Sequence, residues 1–546
     1  MIKSFTQLIM VLSFVIGGAF WSPSALADPA IRLSWEEFSK DPARVESLRQ
    51  AVRVMKSKNN ADPKSVDYRS SWNYWANMHG YYGTGSSWGT VEQAKAQYPQ
   101  YAAYFAGIPD MTPPDAVAQA VWNQCQHGTP WFYAWHRFYL YYFEKTLQVA
   151  ANDPNLRLPY WDYTNPSYLN LPDAFQKPTY VNAQGKTVDN PLYEAKRAPS
   201  WANPATKLDP NSTNIDQPLK NDHVLLGPGR YQNKIENGVH GYIHCTVGVT
   251  CPIPDMGAIA YSANDPIFWL HHANIDRTWS CWSNIAGNKN PTDDQAFVTK
   301  TFSFVDGTGQ EVTNVVSQLF DGTFIDYRYQ QETNCQRVSL VASAGASVQL
   351  AQAMTNPIPD PGPEKIKTLS APEAKALFVK PFVLNKVSQP MFIDKLVTKS
   401  RQKIGGAANS AQPLALFKSA TPSVETRTEL VLSGISYENH PGTMFNVYLE
   451  DPANTKTRVY VGTLNFFSSQ LGHVHQDGNP ADGESRSFDV TEALHKLIGN
   501  KAGAADVNVV FAATTGRLGT KDVPVLAAKA KLQVKSIEFS VKLADE

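Results

Sequence analysis

The sequence predicts a mainly helical N-terminal core followed by a C-terminal all-β sandwich domain. Three observations predict it. Aromatic and aliphatic residues recur at helical spacing from Trp135 to Leu147. The run Asn356-Pro-Ile-Pro-Asp-Pro-Gly-Pro363 excludes both helix and central strand. Beyond that run the hydrophobic period switches from helical to alternating. At 546 residues the chain is too long for a single core, so two domains are expected. Its 49 basic and 49 acidic side chains cancel, which leaves no electrostatic footprint for nucleic acid or an anionic membrane surface.

Residues 1–27 read as a cleavable signal peptide: Lys3, the apolar stretch Leu8 to Phe20, then Ala25-Leu-Ala27 before Asp28. That assigns the chain to export, to a periplasm or the medium. No later segment is long and apolar enough to span a bilayer. Residues 28–341 form the core, 342–370 the linker and 371–546 the β domain. In the core, helices are expected over Trp131 to Val149 and over Leu270 to Trp282, with His240 and His244 on one face of another. Pro199 to Gly229 reads as loop. Strands are expected at Phe445–Leu449, Val459–Leu464, Val507–Phe511 and Leu532–Phe539.

Five cysteines are an odd number for an oxidising compartment. Cys245, Cys251, Cys281 and Cys335 suffice for two disulfides, and the spacing leaves all three pairings open. Cys125 stands apart, two residues before a histidine.

Six histidines fall into two triplets: His79, His127 and His136, then His240, His244 and His272. The third of each sits in an aromatic helix. A lone histidine there is more often a packed core residue, but two such triplets resist that explanation. Three neutral imidazoles per ion leave a coordination position open, so a dinuclear centre able to hold dioxygen is expected. With no carboxylate or thiolate completing either set, copper is preferred over zinc and iron. Asp265 and Asp276 are candidates to hydrogen-bond the ligand rings, with helix capping or a salt bridge to Arg277 as the plainer reading.

The blocks His127–Phe143 and Asp265–Arg277 resemble the two copper signatures of the tyrosinase, catechol oxidase and molluscan haemocyanin superfamily, over a span from about Ile31 to Tyr329. The resemblance implies a catalytic four-helix bundle holding two copper ions in a type-3 dinuclear centre. His79, His127 and His136 would bind copper A, and His240, His244 and His272 copper B, with His271 behind them. Tyr327-Arg-Tyr329 resembles the motif that closes the core. Cys125-Gln-His127 is similar to the arrangement in which the cysteine sulfur bonds to the histidine ring as a thioether. Glu236 resembles the glutamate that holds a water or takes a phenol proton. Gly241 departs from the asparagine of many strong tyrosinases, and Ile259 matches the gate position over copper B.

The segments Glu429–Ile435, Met444–Tyr448, His473-Val-His475 and Ile537–Phe539 are similar to the C-terminal domain of plant polyphenol oxidases, which shields a latent active site. Of these, His473 and His475 share a strand face, where solvated surface outweighs a metal site. Lys399 to Gln412 reads as exposed and cleavable. The implied activity is oxidation of o-diphenols to o-quinones by O2, with slower monophenol hydroxylation. Alternatives are a haemocyanin-like oxygen carrier or an o-aminophenol oxidase. The implied partners are small phenols and O2.

Overall fold

The computed structural model describes residues 29–335, apart from 228, 250, 252–254, 323 and 334. It also describes 382–404, 426–467, 484–498 and 505–543, the last without 528–529. The signal segment, the linker, His473, His475 and residues 405–412 of the cleavable stretch lie outside the described residues.

The core is built on α1 (Pro42–Ser57), α2 (Trp72–His79), α3 (Phe132–Ala151), α4 (Tyr231–Ile235), α5 (Gly241–Val247) and α6 (Ile267–Ser283). Local sequence sets the ends. Asp41 accepts from Ala43 N, with Pro42 opening α1, and Ser71 caps α2 by accepting from Tyr74 N. Asn152 closes α3 at φ 52°, in the left-handed region that asparagine tolerates. Helices α3 and α6 both bury several large aromatic side chains. They pack through Phe143 and Trp269, whose rings stack with centroids 3.3 Å apart.

His240 and His244 do not lie on one continuous α-helix. Residues Glu236–His240 form a π-helical turn with non-helical angles at Gly238, and α5 starts only at Gly241. Such turns commonly mark functional sites, because they re-aim a side chain without ending the helix.

Strand β1 (Ala30–Arg32) pairs in parallel with β2 (Tyr327–Tyr329), joining the two ends of the core. Both tyrosine hydroxyls donate to Asp276 Oδ2, at 2.8 and 2.7 Å, and Arg137 Nε donates to Asp276 Oδ1 at 2.6 Å. The disulfides are Cys245–Cys251 and Cys281–Cys335; the second ties the end of α6 to the chain just beyond β2.

The C-terminal part is a sandwich of two four-stranded antiparallel sheets. It uses β3 (Phe382–Val387), β4 (Val397–Ile404), β5 (Thr426–Ile435), β6 (Met444–Asp451), β7 (Asn454–Leu464), β8 (Glu484–Asp489), β9 (Ala505–Thr514) and β10 (Ser536–Leu543). The orders are β4-β9-β6-β7 and β8-β5-β10-β3. Alternation works as expected: Val507, Val509 and Phe511 of β9 meet Leu430 and Leu432 of β5 and Ile537 and Phe539 of β10 in one apolar layer. The sandwich also carries one helix, α7 (Thr491–Ile498), between β8 and β9.

The two parts are joined by buried polar contacts. Arg427 of β5 pairs with Asp222 of the core, both sealed from solvent. Lys234 bridges Asp222 at 3.1 Å and Glu429 at 3.5 Å. Tyr242 OH donates to Gly516 O at 2.6 Å, and Arg517 donates to the carbonyls of Thr246 and Gly248. Arg517–Leu518 also pairs antiparallel with Lys207–Leu208.

Candidate metal centre

Helix α2 delivers His79 at its last position, the loop before α3 carries His127, and α3 presents His136 one turn in. His240 ends the π-helical turn, His244 lies within α5, and His271 and His272 lie in the second turn of α6. The ligand atoms of His79, Cys125, His127 and His136 lie within 4.8 Å of one another, as do those of His240, His244, His271 and His272. The two groups adjoin. His136 stacks on His272 with ring centroids 4.5 Å apart, and His127 faces His240 at 5.6 Å.

Four of the rings, those of His79, His136, His240 and His244, are oriented through Nδ1. Nδ1 of His79 donates to Ile259 O at 2.8 Å, that of His136 to Phe132 O at 2.7 Å, and that of His244 to Met256 O at 2.8 Å. His240 Nδ1 donates to Glu236 O at 3.0 Å. These bonds fix the tautomer and leave the Nε2 lone pairs for a metal. Burial lowers the His240 pKa to about 3 and puts His136, His244, His271 and His272 well below the ordinary imidazole value. The rings are therefore neutral, as ligands must be.

The donor set fits a metal pair. Nε2 of His244 and Nε2 of His272 lie 3.3 Å apart, the separation of two nitrogens each about 2.0–2.1 Å from one tetrahedral ion. His240 Nε2 is buried with no hydrogen-bond partner, a costly arrangement unless a metal takes it.

The remaining candidates divide. His271 belongs to the second group, with its Nδ1 2.8 Å from Tyr163 OH and its Nε2 buried without a hydrogen-bond partner. Cys125 Sγ lies 3.4 and 3.9 Å from the two ring nitrogens of His127. The Glu236 carboxylate accepts from Gly128 N at 2.5 Å, and burial pushes its pKa up to about 8 against that bond. Ile259 is fully buried and contributes its carbonyl to His79. Asp265 and Asp276 are corrected: neither bonds a ligand ring. Asp265 pairs with Arg197 and accepts from Ile267 N at the start of α6, while Asp276 anchors Arg137 and the tyrosine pair. Arg277 pairs instead with Asp162. Main-chain carbonyls, not carboxylates, set the rings, because the rings project back onto turns of their own or neighbouring helices.

Sequence reasoning missed the residues that close the site. Phe467, just after β7, stacks on His244 with centroids 3.9 Å apart and planes 6° from parallel. It also lies against His240 and His127 at 5.5 and 6.0 Å. Asn465 Nδ2 donates to Asn237 O at 2.6 Å, beside Gly241. Phe268 and Phe132 line the far wall, 4.2 Å from His272 and 4.9 Å from His240. Phe132 and Phe268 lie inside the two signature blocks, and the strand before Asn465 also had a sequence signal, but the docking partner of Asn465 and Phe467 lies over 220 residues away.

Residues 69–285 match the common central domain of tyrosinase. Over 418 residues the chain is 28% identical to a tyrosinase of Hahella sp., covering 69% of this chain and 84% of that one. It is 24% identical to the chloroplastic (+)-larreatricin hydroxylase of Larrea tridentata, covering 84% of this chain and 71% of that one. The fold matches the latent apple tyrosinase with a TM-score of 0.52 at 19% identity, over 95% of this chain and 98% of that one. It matches latent aurone synthase with a TM-score of 0.54 at 17% identity, over 95% and 91%. With two adjoining histidine groups inside the matched segment, the chain carries the common central domain of tyrosinase and resembles tyrosinases and plant polyphenol oxidases, copper-dependent oxidoreductases with a dinuclear copper centre.

Proposed function

We propose that this chain is an exported polyphenol oxidase that converts o-diphenols to o-quinones and hydroxylates monophenols more slowly. The observation that carries the reading is the convergence of two buried imidazole triplets under one aromatic side chain, Phe467. His79, His127 and His136 would hold one copper and His240, His244 and His272 the other, with His271 behind. Copper, when bound, supplies the redox chemistry with dioxygen.

The chain's own residues orient the phenol and handle its proton. The phenol ring takes the place that Phe467 holds, flat on His244. Glu236, with a pKa near 8, exchanges a proton close to working pH, the range a general base needs. Gly241 offers no side chain to fix a water beside it, which favours diphenols. Ile259, through its carbonyl, holds His79 in place. A thioether between Cys125 and His127 would immobilise that ring, and Tyr327 and Tyr329 close the core behind α6.

Residues 371–546 act as a lid, tethered by 342–370 and released by cleavage or displacement. The balance is two diphenols oxidised and one O2 reduced to two waters. The test is oxygen uptake by the copper-loaded chain with catechol, before and after removal of the β domain. Two catechols consumed per O2, abolished by His272→Ala together with one equivalent of copper, is the expected result. Reversible O2 binding without catechol turnover, even in the opened chain, would indicate a carrier and overturn the reading.

A further inference from the structure

Residues Asp255 to Ser262 form a buried loop that carries one acceptor for each histidine group. Met256 O receives His244 Nδ1 and Ile259 O receives His79 Nδ1, both at 2.8 Å. The loop is bonded to itself along its length. Ala258 N donates to Asp255 O at 2.9 Å, and Tyr261 N and Ser262 N donate to Ala258 O at 3.0 and 2.8 Å. It is also wedged between two helix ends. A Cβ on Gly80, next to His79, would lie 2.8 Å from Ala260 Cα, and one on Gly248, just past α5, would lie 2.8 Å from Gly257 N. Internal bonds and close packing on both sides make the loop shift as one body. His136 and His240 are held differently. Their Nδ1 groups donate to carbonyls one turn back on their own helices, Phe132 O and Glu236 O.

The loop is anchored at its start, away from the histidines. The Tyr104 hydroxyl donates to Asp255 Oδ1 and accepts from Asp255 N at 3.2 Å. Asp255 is buried, so its bonds meet little competition from water. Lys196 Nζ lies 3.5 Å from the same carboxylate oxygen and 5.2 Å from the centre of the Tyr104 ring. Tyr104 and Asp255 belong to neither histidine group.

We propose that Tyr104 and Asp255 are positioning residues that anchor this loop and through it aim His79 and His244 together, one ring in each triplet. Without the hydroxyl the loop loses its fixed start, and both rings follow it. Disturbing groups that orient metal ligands typically costs about 10–100-fold in affinity or activity. The consequence for turnover rests on the proposed oxidase activity. The positioning does not, and it is read without copper.

The experiment follows hydrogen exchange at the ring Nδ1–H groups of His79, His136, His240 and His244 by NMR, in the full-length copper-free chain with isotope-labelled histidine. Tyr104→Phe keeps the ring and removes the hydroxyl. Exchange at His79 and His244 should accelerate by about tenfold or more, and by similar factors, while His136 and His240 serve as internal references and stay unchanged. Asp255→Asn keeps an acceptor for the hydroxyl and should behave like the unaltered chain; Asp255→Ala should match Tyr104→Phe. Equal acceleration at all four rings would mean that the hydroxyl only supports the fold, and it overturns the proposal. So does acceleration at His244 alone, which would show that the loop does not link the groups, and so does no change at any ring. In the copper-loaded chain, Tyr104→Phe should lower kcat for catechol by about 10–100-fold with copper content and KM little altered. Exchange as expected with unchanged kcat overturns the turnover half and leaves the positioning standing. Absence of catechol turnover in the unaltered chain overturns the oxidase reading alone.

Discussion

Phe467 lies flat on the imidazole of His244, 3.9 Å between ring centroids, although the two residues belong to different domains. The side chain is fully buried and belongs to the core's own apolar cluster. A substrate ring and Phe467 compete for one face. Phe467→Ala removes the competitor and weakens docking, since truncating a buried phenylalanine costs about 3–5 kcal/mol. Catechol oxidation by the uncleaved variant should rise at least tenfold in kcat/KM, measured by quinone formation. Unchanged kinetics with copper intact would show that Phe467 does not gate the site.

Asp222 is the shared acceptor of Arg427 from the β domain and Lys234 from the core. Removing one member of a buried ion cluster strands the others, at about 3–5 kcal/mol. Asp222→Asn should therefore loosen the interface, raising activity before proteolysis and accelerating cleavage by trypsin. Both readouts are needed, because a destabilised core would speed cleavage while lowering activity.

A Cβ built on Gly241 would collide with Oδ1 of Asn465. Position 241 therefore abuts both the histidine cluster and the β domain. Gly241→Asn in the full chain is expected to raise diphenol and monophenol turnover together by displacing Asn465. Only in a chain freed of its β domain should the variant raise the monophenol-to-diphenol ratio, several-fold by a water-positioning role. Equal ratios in the freed chain would remove position 241 from proton handling.

Glu450 ties three strands to β6: it accepts from Lys399 Nζ at 2.6 Å, Arg458 Nη2 at 2.9 Å and Asn508 Nδ2 at 3.1 Å. Burial alone would raise its pKa, but these partners outweigh it and pull it down to about 2 from 4.5. A depressed carboxylate stabilises the fold fully above the unfolded value and loses that contribution as pH falls from about 4.5 towards 2. Glu450→Gln should cost the sandwich on the order of 1–2 kcal/mol at pH 7 and almost nothing near pH 2, discounted because Lys399 and Arg458 are partly exposed. Urea midpoints at the two pH values check it.

The helices that carry His136 and His272 were legible because a buried aromatic stripe imposes its period on the sequence. Strands β6, β7, β9 and part of β10 were legible at period two; β4 was not, since residues 399–404 read as exposed and cleavable yet pair with β9. The π-helical turn before His240 was not, since the i,i+4 spacing of His240 and His244 fits an unbroken helix equally well. Nor were the acceptors of the ring Nδ1 groups, which are main-chain carbonyls and leave no trace in residue type. The carboxylates Asp265 and Asp276 looked apt for that work and instead hold arginines and tyrosines. Cysteine spacing could not choose a pairing, and Phe467 had no motif at all, because what defines it is a contact across the domain interface.

The histidine rings of the centre are sealed, at 0–2% exposure, with Phe467 seated above them. A metal ion has no wider road to these nitrogens than a substrate has. The order of events in maturation is thereby constrained: copper has to arrive while the β domain is still undocked, or wait for it to lift. Chain that closes empty is expected to take up copper at the rate of lid opening, independent of copper concentration once copper is in excess. Chain without the β domain should load at a rate that keeps rising with copper.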